Sequence, residues 1–137
     1  TITKSMGAAD FLLGVCESWM TPALFLSVAF VAGAVISFFT GSSWGTFAIC
    51  IPIAVPMAYS FTGGQLGTLV YAAVGAVVSG GLFGDHCSPV SDTTVLSSLG
   101  AACDHIDHVR TQLPYALLAA AVSMILWVVV AMVGGAA

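Results

Sequence analysis

Long apolar runs alternate with short polar breaks along this chain. Thr21-Pro22 reads as a helix start, a capping hydroxyl followed by proline at the first helical position. An apolar run continues from there to Phe39. The polar stretch TGSSWGT follows, Thr40 to Thr46, and then a second apolar arm from Phe47 to about Phe61, with Pro52 and Pro56 one turn apart. Each arm has about 15–18 residues, roughly 22–27 Å as helix, which is short for a complete crossing of a bilayer. The pattern predicts a re-entrant helical hairpin over 21–61 with the polar stretch at its tip. Non-helical backbone at such depth is tolerated only when it is buried in protein or lines a cavity.

The glycines of SFTGGQLG, residues 60–67, mark a turn. The membrane helix resumes over 68–83, where Ala72, Ala76, Gly80 and Gly84 recur every four residues and form a smooth face for close helix packing. GDHCSPVSDTT, Gly84 to Thr94, interrupts it. Pro89 lacks an amide hydrogen and disfavours helix at Ser88, so the expectation is a break at Gly84 and Pro89. A short second helix then runs from Asp92 to about Ala101, capped by Ser91. The whole discontinuous helix covers 66–102. CDHIDHVR, residues 103–110, reads as a charged connector. The last helix is expected to begin near Thr111, with Pro114 in its first turn, and to give one full span over 111–134. At the other end, residues 1–20 read as an interfacial segment, with Asp10 and Glu17 on one helix face and Trp19 at headgroup level.

Composition turns this pattern into a fold class. The 137 residues are 59% hydrophobic and 6% charged, whereas a soluble domain carries about 25% charged residues. The chain is therefore expected to be an all-α, multi-pass membrane protein. No basic leader precedes an apolar core, so no signal peptide is expected, and both ends look like cuts through a longer chain. The net charge of −4 rests on six acids against Lys4 and Arg110, which leaves no basic patch for nucleic acid. Under the positive-inside rule, the segment holding Arg110 is expected in the cytoplasm. Cys16, Cys50, Cys87 and Cys103 lack metal-site spacing and read as free thiols.

The polar breaks carry the candidate chemistry. An aspartate near the bilayer centre costs about 2.5–3.5 kcal/mol, and Asp85 and Asp92 flank the predicted break. Ser88, Ser91, Thr93, Thr94 and the carbonyls freed at the break add hard oxygen ligands, suited to Na+ rather than to soft metals. Helix ends at a broken span are where secondary transporters bind coupling ions. The competing reading makes 84–94 an extramembrane loop with Asp92 as a cap. At the hairpin tip, Thr40, Ser42, Ser43 and Thr46 offer the facing half of a substrate or ion site.

Two other motifs compete for attention. Gly41-Ser42-Ser43-Trp44-Gly45 matches G-x-S-x-G, but that nucleophile pattern needs a preceding strand, and none is expected here. His105 and His108 in DHIDH, interleaved with Asp104 and Asp107, read as a solvated connector. Because histidine titrates near neutral pH, they are also candidates for pH sensing, with a divalent metal site as the third reading.

SFFTGSSWGTFAICIPIAVPMA resembles the Thr-Gly-Thr-Ser-Trp-Gly-Thr element of the NhaC-type Na+/H+ antiporter family, departing at Ser42, where threonine is commoner. GLFGDHCSPVSDTTVLSSLGAACDHIDHVRTQLPYAL resembles that family's Gly-Asp-His-x-Ser-Pro-x-Ser-Asp-Thr-Thr signature with its Asp-His-Ile-Asp-His tail. The resemblance implies two inverted repeats, each a re-entrant hairpin followed by a broken helix, of which this chain supplies one. It implies that Asp85, Ser88, Ser91, Asp92, Thr93 and Thr94 line the cation path and that the hairpin tip faces them. The implied partners are the lipid bilayer of a bacterial-type inner membrane, the other repeat and, as an open case, a second copy of the protein. The implied cargo is Na+ and H+, with no cofactor and no enzymatic activity. Na+-coupled exchange of organic acids such as malate and lactate is the alternative, since some family members do this. Either Asp85 or Asp92 would carry the proton.

Overall fold

A computed structural model describes residues 20–134 together with residue 14. The readings of Asp10, Glu17, Cys16 and Trp19 lie outside the described residues. Within them, every regular element is a helix: α1 (Pro22–Thr40), α2 (Ser43–Phe61), α3 (Thr68–Cys87), α4 (Asp92–Gly100) and α5 (His105–Gly134). All but α4 are long and apolar enough to cross a membrane.

The helix starts follow from local chemistry. Thr21 Oγ1 accepts from the Leu24 amide and Pro22 opens α1. At the far end Gly41, at φ +65°, takes the left-handed conformation that glycine adopts without strain, and its amide closes onto the Ser37 carbonyl. Ser42 then caps α2 by accepting from the Gly45 amide. The hairpin apex is thus only Gly41 and Ser42, not the whole of Thr40 to Thr46. With 19 residues in each arm, or about 28 Å, arm length no longer argues against a complete crossing. α2 continues through Pro52 and Pro56.

Two expected boundaries differ from those observed. Gly84 does not break α3. It lies inside the helix, and a Cβ there would collide with the Ala34 carbonyl oxygen of α1. The break falls at Ser88, which is extended before Pro89 as expected. The second difference concerns α5, which starts at His105 rather than near Thr111. The Asp104 carboxylate caps it, accepting from the amides of Ile106 at 2.9 Å and Asp107 at 3.2 Å. The expected connector is therefore the first turns of a 30-residue helix, with Pro114 inside it. A run of charges at an interface looks like a loop until one of them is seen to cap.

α1 and α3 run parallel and form the tightest seam. Gly33 of α1 abuts the Val77 carbonyl and the Gly81 amide, while Gly80 and Gly84 of α3 abut the Phe30 and Ala34 carbonyls. The small-residue face of α3 is buried at Ala72, Ala76, Gly80 and Gly84. α2 runs back antiparallel, so Phe25 at the start of α1 meets Phe61 at the end of α2, ring centres 5.6 Å apart. The core lies between these helices, around Leu26, Phe30, Met57, Ala58, Ala73 and Val77. α5 packs antiparallel along α3, where the Trp127 indole fills the space beside Gly75 and donates to Ser79 Oγ at 2.9 Å.

This arrangement brings four helix ends to one place. The C-termini of α1 and α3 meet the N-termini of α2 and α4, because the hairpin apex packs on the break. A Cβ on Gly41 would lie 2.7 Å from the Val90 carbonyl oxygen.

Candidate functional site

Asp85 stands at that meeting point. It is 8% exposed and sits in the last turn of α3. Ser43, the first residue of α2, donates to its Oδ2 at 2.9 Å. Ser91, the residue before α4, donates to its Oδ1 at 2.7 Å. Ser91 occupies the capping position of α4, yet makes no side-chain cap bond; its hydroxyl is spent on the carboxylate. Two helix N-termini, each with partial positive charge, thus flank one buried carboxylate. Each oxygen keeps lone-pair capacity beyond the one bond it accepts.

The other expected residues fall into distinct positions. Ser88, fully buried, donates to the Phe38 carbonyl at 2.6 Å and ties the break to the end of α1. Buried Thr94 donates to the His86 carbonyl at 3.1 Å, closing α4 back onto α3. Thr93 is exposed, its hydroxyl 2.7 Å from that of Ser91. Thr46 is buried and donates to the Ser42 carbonyl at 2.9 Å, whereas Thr40 is exposed and folds back on Ile36 at 2.8 Å. Asp92 is exposed in the first turn of α4. The two aspartates, alike in sequence, therefore occupy different environments in this segment.

His105 and His108 also separate. His108 is half-buried on α5. His105 reaches back across the break: Nε2 lies 2.7 Å from the Pro89 carbonyl oxygen and Nδ1 lies 3.2 Å from Ser98 Oγ. Ser98 donates its hydrogen to the Val95 carbonyl at 2.8 Å. Sequence reading missed this clamp, since nothing local in DHIDH points sixteen residues back to Pro89. Ser43, flagged by the G-x-S-x-G pattern, donates to a carboxylate, and its serine opens a helix. The thiols of Cys50, Cys87 and Cys103 are free, with Cys87 buried and Cys103 exposed rather than apolar packing.

Beside Asp85, a cavity of about 410 Å³ opens between α3, α4 and α5. Asp85, His86, Thr93 and Ser123 supply its polar lining, and Phe83 and Ala120 part of its apolar wall. At its edge His86 Nε2 meets the Gln112 side-chain amide at 2.6 Å. The α5 residues lining it, from Ala116 to Ser123, lie within the uncharged stretch that begins at Thr111. Asp85 is thus level with apolar helix, not with the charged turns of α5.

A buried carboxylate where a membrane-length helix breaks, held by serines from two helix starts, marks a multi-pass membrane protein with a polar site inside its helices. A model of the Na+/H+ antiporter family matches residues 1–132, and the chain belongs to that family. It is 53% identical over 133 residues to an uncharacterized protein of Haemophilus influenzae, covering 95% of this chain and 25% of that one. It is 35% identical over 129 residues to the malate-2H(+)/Na(+)-lactate antiporter of Bacillus subtilis, covering 94% of this chain and 26% of the relative. It is also 35% identical over 104 residues to the Na(+)/H(+) antiporter NhaC of Alkalihalophilus pseudofirmus, covering 76% and 21%. The chain spans about a quarter of the length of these relatives. No solved structure matches it closely enough to compare.

Proposed function

We propose that this segment carries the ion-exchanging carboxylate of a Na+/H+ antiporter, and that the carboxylate is Asp85. The observation behind this reading is its buried position between Ser43 and Ser91 at four helix ends. When ionised, the carboxylate is stabilised by two hydroxyl donors and two helix N-termini, and it can bind a monovalent cation through its remaining lone pairs. Once the cation leaves, a proton can take its place on the same carboxylate. One site then holds either Na+ or H+, never both, and alternating exposure turns that competition into exchange. Asp92, exposed in this segment, serves as a helix-start charge for α4 rather than as the exchanging group. Ser88, Thr94 and the His105 clamp hold the break in shape.

In this reading the segment is one of two inverted repeats. The Gly41–Ser42 apex and the Ser88–Ser91 break pack on each other, and the uncharged α5 residues that line the cavity beside Asp85 support a hairpin tip inside the membrane. The other repeat would cover the exposed faces of Trp44, Phe39 and Val90.

A second reading has its own support. The cavity of about 410 Å³ beside Asp85 is far larger than the share of one water molecule, about 30 Å³, and falls within the range of small-ligand sites. A Na+-coupled exchanger of a small organic acid would use such space. The test is transport by the full-length protein in everted vesicles. Na+-driven proton movement without organic acid supports ion exchange. Counterflow of labelled malate or lactate, with no Na+/H+ exchange in its absence, supports the second reading and rejects the first.

A further inference from the structure

One hydroxyl in the seam between α1 and α3 has no partner. Ser37 is 0% exposed, and its Oγ makes no hydrogen bond among the described residues. Several helical hydroxyls elsewhere in the chain fold back on the carbonyl four residues earlier, among them Ser27 on Ala23, Thr40 on Ile36, Ser79 on Gly75 and Ser97 on Thr93. Ser37 does not. A buried polar atom without a partner costs about 1–3 kcal/mol, and an ion or water is one of the few things that account for it.

The position of Ser37 says which ligand. Gly33 lies one turn before it on the same face of α1, and Gly41, which closes the helix, donates its amide to the Ser37 carbonyl. Gly33 abuts Gly81 on α3, and Gly41 abuts Val90 and the Ser91 amide at the break. Asp85 lies one turn beyond Gly81 and accepts from Ser91. Counting one turn on from the Gly33–Gly81 contact along two parallel helices, Ser37 comes level with Asp85. On the register of this seam, we propose that Ser37 Oγ is a ligand of the alkali cation bound at Asp85, joining hydroxyl oxygens whose hydrogens already point at the carboxylate. The set is then one carboxylate and three neutral hydroxyl oxygens from α1, α2 and the α3–α4 break, hard donors of the kind that suit a small alkali cation. This rests on the Asp85 reading above.

The experiment uses the full-length transporter in everted vesicles and measures the Na+ concentration that gives half-maximal proton movement. Removing an orphaned hydroxyl is structurally neutral or stabilising when nothing binds it. A purely structural Ser37 therefore predicts no change in half-saturation for Ser37→Ala. A ligand predicts a rise of about tenfold for Ser37→Ala, corresponding to loss of one good interaction, with the maximal rate retained. Ser37→Gly, which adds no bulk to the seam, is expected to behave the same way, and Ser37→Thr, which keeps the hydroxyl, to stay closer to the unmodified protein. An unchanged half-saturation in both Ser37→Ala and Ser37→Gly overturns the assignment and leaves Asp85 standing. A parent protein with no Na+ dependence overturns both.

Discussion

Ser43 Oγ donates to Asp85 Oδ2 at 2.9 Å across a separation of 42 residues. This bond joins the first turn of α2 to the last turn of α3, so the hairpin apex and the helix break form one site. A hydrogen bond to a charged group is worth about 1.5–3 kcal/mol. Ser43→Ala should weaken cation binding by roughly ten- to a hundredfold, measured as half-saturating Na+ in vesicles carrying the full-length protein. Ser43→Thr, which keeps the donor, should lose much less.

The α1–α3 seam makes a prediction about assembly rather than chemistry. Gly80→Ala and Gly84→Ala each drive a methyl into a carbonyl of α1, and no side-chain rotation relieves a backbone collision. Overpacking of this kind costs about 1–3 kcal/mol or more, so both variants should show lower thermal stability in detergent. Gly100→Ala, with nothing within 4 Å of the added atom, should leave the melting temperature unchanged. Equal tolerance at all three positions would contradict the packing.

Much of this architecture was legible because its signals are local. Thr21-Pro22 started α1 where expected, the glycines after Phe61 made the turn, and Pro89 stopped α3 within a few residues of the forecast. The four-residue spacing of Ala72, Ala76, Gly80 and Gly84 gave the seam. What misled was equally physical. Gly84 read as a breaker, but its missing side chain serves close approach to Ala34. The charges of DHIDH read as a connector, yet Asp104 caps a helix with them. The site residues Asp85, Ser43 and Ser91 were all named from sequence, but their pairing was not. It depends on which way the chain turns at the break and on a contact spanning 42 residues. For the same reason Asp85 and Asp92 could not be told apart. Ser37 gave no signal at all, being one serine in an apolar helix.

The His105 clamp should control local opening of the break. His105→Ala removes the contacts to Pro89 and Ser98 and frees the segment between α3 and α4. Amide hydrogen exchange at Val90, Ser91 and Val95 should accelerate, while that of Ala73 and Val77 in the buried part of α3 should not change. His108→Ala should have little effect at the break. Faster exchange throughout α3 would mean global destabilisation and contradict a local clamp.

The central claim is that Asp85 is the exchanging group, and one comparison tests it directly. Na+-driven proton movement is measured in everted vesicles containing the full-length protein with Asp85→Asn or Asp92→Asn, at matched amounts in the membrane. The account predicts that Asp85→Asn abolishes exchange, because the site can no longer gain and lose a proton, while Asp92→Asn retains it. Exchange that survives Asp85→Asn would contradict it.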